Sequence, residues 1–166
     1  GEVGLTSLSG AFNSATNLSS LPSEFPSTVT NARFLFYNNT NFNLDISTWD
    51  VSNVEDFGYL FYGTNFNRDI SAWDVSSATY MGYMFYNAPV FNQDISAWNV
   101  SNVSSMTNMF HGASAFNQNI GIWQVGAVTD MCRMFYNATA FNQNLSSWDI
   151  TSTADMTYIF YGINLS

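Results

Sequence analysis

The stretch FNQDISAWNV, residues 91–100, has close copies on both sides. FNRDISAWDV at 66–75 precedes it, and FNQNIGIWQV at 116–125 and FNQNLSSWDI at 141–150 follow. Working outward from it, tryptophan recurs at Trp49, Trp73, Trp98, Trp123 and Trp148, at intervals of 24, 25, 25 and 25 residues. One phenylalanine column runs Phe12, Phe36, Phe61, Phe85, Phe110, Phe135, Phe160. A second runs Phe42, Phe66, Phe91, Phe116, Phe141, with Leu18 standing in at the start, and each of its phenylalanines is followed by asparagine: Asn43, Asn67, Asn92, Asn117, Asn142. The single short interval falls where FYGTNFN (61–67) is one residue shorter than FYNATAFN (135–142).

A four-stranded propeller blade needs about 40 residues, so a period near 25 fits one coil of a solenoid. In ISAWDV the large residues Ile70, Trp73 and Val75 end in a period-2 pair, which predicts a short strand. In VSSMTNMF, Val103, Met106, Met109 and Phe110 have the spacing of a helical or 3₁₀ turn with one apolar face. No coil buries such side chains alone; stacking like over like at about 4.8 Å gives a continuous core. The expectation is a single solenoid domain over 1–166 with six to seven coils of 24–25 residues. Short parallel strands around Ile-x-x-Trp-x-Val would lie on one face, with short helical or 3₁₀ turns on the other. Residues 1–30 form a diverged first coil or partial cap, in which LSSLPSEFPSTV (18–29) replaces the tryptophan phrase. Residues 31–166 are regular repeats ending in an incomplete coil, IFYGINLS, as if cut from a longer array. A start at Gly1 points to a processed protein or a segment of a longer one.

Twelve acidic residues against three arginines, with no lysine, give a net charge of -9. That balance argues against nucleic acid and disfavours an anionic membrane surface as partners, since both are bound by clustered cations. No apolar run reaches the roughly 18 residues of a membrane helix. The one cysteine, Cys132, occupies a slot held elsewhere by Gly58, Gly82, Thr107 and Thr157 and has no intrachain partner.

The phrases VSSMTNMFHGASAFNQNIGIWQV (103–125) and VTDMCRMFYNATAFNQNLSSWDI (128–150) resemble the BspA-type leucine-rich-repeat surface proteins, and the resemblance runs from Leu5 to the C-terminus. It implies a leucine-rich-repeat solenoid, an extracellular or cell-surface location, and a role in adhesion. The leucine-rich strand would correspond to Ile70, Trp73, Val75 and their equivalents. The five tryptophans and the missing lysine depart from the family pattern.

Asp45 with Asp50, and Asp69 with Asp74, suggest a carboxylate ladder. It decays to Asp94 with Asn99, Asn119 with Gln124 and Asn144 with Asp149, whereas calcium wants about six to eight converging oxygens. No metal or cofactor is expected. His111 replaces a tyrosine in the column Tyr37, Tyr62, Tyr86, Tyr136, Tyr161, so it reads as an aromatic substitute. No serine sits in a nucleophile elbow, and no catalytic residue is expected. The residues between Trp and Val, namely Asp50, Asp74, Asn99, Gln124 and Asp149, point away from the core and form the candidate binding column. The tryptophan and asparagine columns are structural ladders. Asparagine sequons stand at Asn17, Asn38, Asn99, Asn102, Asn137, Asn144 and Asn164, with Asn38 and Asn137 on a turn. The sequence therefore points to a non-enzymatic surface module for a protein or carbohydrate partner. The alternative is a filament or sheath unit that stacks end to end on copies of itself. Ice binding through the Ser47, Ser71, Ser96, Gly121, Ser146 column is a minor third reading.

Overall fold

Two residues in every coil hold left-handed backbone, and they shape one side of it. The structure, a computed structural model, describes residues 4–163. The left-handed pairs are Gly10 and Ser14, Phe34 and Asn38, Tyr59 and Gly63, Tyr83 and Asn87, Asn108 and Gly112, Arg133 and Asn137, and Tyr158 and Gly162. Around Asn108, the N–H groups of Met109, His111 and Ala113 donate back three residues, to the carbonyls of Met106, Asn108 and Phe110. The alternate N–H groups of Met106, Asn108, Phe110 and Gly112 donate forward to Asp130, Cys132, Met134 and Tyr136 in the next coil. A positive φ at the third residue of a tight turn is the type II geometry. The chain here is thus a ribbon of overlapping turns with every second N–H left over to tie coil to coil.

This ribbon takes the place of the expected helical or 3₁₀ turn. It puts Met106, Met109, Phe110 and Ala113 inside, all fully buried, and the offsets 0, +3, +4, +7 are those of a helix face. The expected strand also lies elsewhere. Isolated parallel bridges join Ser7, Asn31, Asp56, Tyr80, Ser105, Asp130 and Asp155 in succession, at the mouth of each ribbon and not at Ile-x-x-Trp-x-Val. In that phrase the backbone donors are used within the coil. Trp73 N–H bonds the Ile70 carbonyl, Ser71 and Ser76 N–H bond the side chains of Asp69 and Asp74, and Ala78 N–H bonds the Val75 carbonyl. Few donors remain for a ladder, so no extended strand or α-helix forms among the described residues.

The core is one cluster running from Phe25 to Ile159. In each regular coil the two phenylalanines lie nearly face to face, as Phe110 on Phe116 at 4.0 Å. Between coils Phe110 meets Phe85 at 5.5 Å and Phe135 at 5.7 Å. Each such ring contributes roughly 1.5–3 kcal/mol of burial. Every indole N–H is anchored one coil back: Trp73, Trp98, Trp123 and Trp148 donate to the carbonyls of Ile46, Ile70, Ile95 and Ile120. Trp49 donates to Pro22, and Phe25 packs on Trp49 at 5.0 Å where a tryptophan stands in later coils. Leu8, Gly10, Phe12 and Ser14 donate to Asn31, Arg33, Leu35 and Tyr37, so the opening segment already follows the ribbon path.

Candidate binding surface

All nine aspartates do the same job. In Asp45, Asp50, Asp56, Asp69, Asp74, Asp94, Asp130, Asp149 and Asp155, one carboxylate oxygen accepts the backbone N–H two residues ahead. Asn31, Asn99, Asn119 and Asn144 do so with an amide oxygen. This is the local turn that short polar side chains favour. Hydrogen bonds from Ser52, Ser76 and Thr151 hold Asp50, Asp74 and Asp149 below the usual carboxylate range.

The candidate column Asp50, Asp74, Asn99, Gln124, Asp149 is exposed along its whole length. Four of its five side chains fold back onto their own turns. Gln124, one methylene longer, instead reaches the Ile122 carbonyl at 3.4 Å. Asp50 borders one shallow groove, with Glu24 and Pro26, and Gln124 borders another, with Asn119 and Ile122. The column therefore does not converge on one point. Among the described residues no three His, Cys, Asp or Glu side chains come together as metal ligands.

The asparagine column is an amide relay. The side-chain oxygens of Asn43, Asn67, Asn92 and Asn117 accept the N–H of Asn67, Asn92, Asn117 and Asn142, each one coil on, at 2.9–3.0 Å. Gln93, Gln118 and Gln143 bond the same oxygens. Of the sequons, Asn38 and Asn137 lie exposed at left-handed turn positions. Asn17 is exposed, Asn102 donates its amide to the Ser76 carbonyl, and Asn164 lies outside the described residues. Asn99 and Asn144 owe their sequons to the turn itself, whose pattern of Asp or Asn followed two places on by Ser is the same three-residue phrase.

One row of aromatic side chains stays outside the core. Tyr37, Tyr62, Tyr86, His111, Tyr136 and Tyr161 stack in order, with centroids 4.3–4.6 Å apart. Their ring faces cover one another, so edges and hydroxyls meet solvent. Beside them lies the column of first left-handed residues: Phe34, Tyr59, Tyr83, then Asn108, Arg133 and Tyr158. Its rings stack at 4.5 Å from Phe34 to Tyr83, and the stack then stops. A trough of about 580 Å³ opens there, lined by Tyr83, Asn108, Arg133 and Tyr158 along one side and by Tyr86, His111, Tyr136 and Tyr161 along the other. His111 donates from Nδ1 to the side-chain oxygen of Asn108 at 2.9 Å. Burial, with the charge of Arg133 behind it, holds its imidazole below the usual range and therefore neutral at pH 7. Cys132 is half-buried, and burial pushes its thiol up, so it stays protonated.

Sequence reasoning picked out the tyrosine column but not its neighbour. The readable signal is a pair of outward residues three apart around the core phenylalanine, as in YLFY (59–62), YMFY (83–86) and YIFY (158–161).

Stacked 24–25-residue coils around an aromatic core, with carboxylates tied into turns and tyrosines on the outer ribbon, define a repeat protein held together by hydrogen bonds from each coil to the next. The chain belongs to the family described as Mycoplasma protein of unknown function, DUF285, which matches it over residues 6–106 and again over residues 66–165. No curated protein and no solved structure matches it.

Proposed function

We propose that this chain is a non-enzymatic module displayed outside the cell, which binds a protein or carbohydrate partner on its tyrosine-lined face. The observation that carries the reading is the outer row from Tyr37 to Tyr161 with its adjoining trough. Tyrosine supplies large contact area with a polar tip at low entropic cost, which is why it is enriched where proteins meet partners. The resemblance to BspA-type leucine-rich-repeat surface proteins supports the same placement, as a leucine-rich solenoid used in adhesion. The test is binding to purified extracellular-matrix proteins and arrayed glycans, repeated with Tyr86→Ala and Tyr136→Ala. A partner lost with both variants supports the reading. A partner kept by both, but lost when Asp74 and Asn99 are replaced by alanine, moves the site to the column from Asp50 to Asp149.

A second reading, a filament or sheath unit, is favoured by the polarity of the ribbon. Met131 and Phe135 donate forward to Asp155 and Ile159, as every coil does to the next, so copies stacked head to tail would set donors against acceptors. Sedimentation decides between them. A mass constant at 18.5 kDa across concentration favours the binding module, and steady growth in mass favours the filament.

A further inference from the structure

The interruption of the aromatic stack has a definite shape. Phe34, Tyr59 and Tyr83 cover one another, and the next ring in that column is Tyr158, three coils on. At about 4.8 Å per coil the two rings stand roughly 14 Å apart, with two ring places between them taken by Asn108 and Arg133. The face of Tyr83 turned away from Tyr59 meets no ring in its own column. The gap therefore has an aromatic wall at one end, Tyr158 at the other, and a floor of stacked ring edges from Tyr86 to Tyr161.

Of the three arginines only Arg133 lines the gap. Arg33 is paired with Asp56 at 3.3 Å and lies among Phe34, Tyr59 and Tyr80. Arg68 donates to the Asn43 carbonyl at 3.0 Å. Arg133 lies over Tyr158 at 5.6 Å and has no ion pair among the described residues. It is exposed, and its fork of donors suits a carboxylate held by two parallel bonds. Asn108 is 5% exposed, with its amide on the Thr107 hydroxyl and its oxygen on His111. That bond fixes the imidazole so that Nε2 is left as an acceptor. Guanidinium, imidazole and tyrosine hydroxyls alternating with ring edges match a polyhydroxylated ligand better than an apolar peptide.

We propose that the trough between Tyr83 and Tyr158 binds an acidic oligosaccharide, with a sugar carboxylate on Arg133, a hydroxyl on His111 and sugar rings lying along the trough where the aromatic column is interrupted. The proposal rests on the surface-module reading and narrows it to one ligand class and one site.

The experiment is calorimetric titration of the intact chain with tetragalacturonate and a hyaluronan tetrasaccharide, and with cellotetraose as the neutral control. It is repeated for Arg133→Gln, Arg133→Lys and, as a distant control, Arg68→Gln, with circular dichroism to verify the fold. Binding of an acidic sugar that Arg133→Gln weakens about tenfold or more, the scale of a lost charge-assisted pair, and that Arg133→Lys weakens less, supports the proposal. Arg68→Gln should leave it unchanged. Equal binding of cellotetraose, or acidic binding indifferent to Arg133, overturns the proposal while leaving a carbohydrate-binding module in place. Binding of a matrix protein that depends on Tyr136, with no sugar bound at all, overturns it and keeps the broader reading. No binding of either kind removes both.

Discussion

The carbonyl of Ile70 accepts two hydrogen bonds, one from the backbone N–H of Trp73 in its own coil at 3.1 Å and one from the indole N–H of Trp98 in the next at 3.0 Å. One oxygen thus closes a turn and anchors the following tryptophan. Phe25, which fills the equivalent place in the first coil, has no ring N–H to offer.

Trp98→Phe should therefore keep the ring stack and lose the anchor. Ile70 retains its bond from Trp73, so no buried carbonyl is orphaned. The expected loss is one net hydrogen bond plus a small void, about 1–3 kcal/mol. Urea unfolding followed by circular dichroism checks it, and an unchanged midpoint would show that the indole N–H contributes nothing to stacking.

Acid should destabilise the fold through its turns. Asp45, Asp50, Asp69, Asp74, Asp94, Asp149 and Asp155 are all held below the usual carboxylate range, mainly by bonds from the residue two ahead. A depressed folded pKa means the folded state favours the ionised form. This contribution is complete above the unfolded value near 3.9, and it is lost as pH falls through the lower folded values. Melting temperature should be flat from pH 7 down to about 5 and fall below about 4. Changing Asp69, Asp74 and Asp94 to asparagine, which already serves at Asn99, Asn119 and Asn144, should keep the turns and flatten the acid limb. A limb of undiminished steepness in that variant would place the acid sensitivity elsewhere.

The amide relay should show itself locally. The side-chain oxygen of Asn92 accepts both the Asn117 N–H and the Gln118 amide at 2.9 Å. Asn92→Ala frees two exposed donors that water satisfies, so the cost should stay near 0.5–1 kcal/mol. Exchange of the Asn117 amide proton should nevertheless quicken clearly, while that of Asn142, bonded to Asn117, should not. Equal exchange of the Asn117 proton in both proteins would mean that the relay does not protect it.

The tryptophan, phenylalanine and asparagine columns are legible in the sequence because one residue type recurs at one period, which stacking alone explains. The placement of the backbone bonds is not. Met106, Met109, Phe110 and Ala113 have the spacing of a helix face, and a ribbon of overlapping turns buries the same positions. What separates the two is the residue two beyond each core phenylalanine, always asparagine or glycine from Asn38 to Gly162, the residues that tolerate left-handed backbone. The trough had a weaker marker, the outward pairs of YLFY, YMFY and YIFY. Phe34, Tyr59, Tyr83, Arg133 and Tyr158 hold a left-handed position against their ordinary preference, so nothing in their type announced it. The aspartates carry a second, local signal: Asp-x-Ser at Asp45, Asp50, Asp69, Asp74 and Asp94 is the phrase of a side-chain-closed turn.

That asparagine-or-glycine column alternates strictly: Asn38, Gly63, Asn87, Gly112, Asn137, Gly162. The alternation has a steric cause. The side-chain oxygen of Asn38 lies 2.7 Å from where a Cβ on Gly63 would sit, and Asn87 and Asn137 crowd Gly112 and Gly162 in the same way. Each asparagine thus leans into the space left by the glycine of the next coil. Gly112→Asn should cost about 1–3 kcal/mol by overpacking against Asn87, although asparagine suits that backbone elsewhere in the column. Adding Asn87→Gly should recover part of the loss, because it removes the oxygen that a side chain at 112 would strike but leaves Asn137 in the path of the new side chain one coil on. The two sites touch, so their double-mutant cycle should show a coupling of about 1–2 kcal/mol. Thermal melts of the four proteins measure it. Strict additivity would mean that the alternation arises from something other than contact between neighbouring coils.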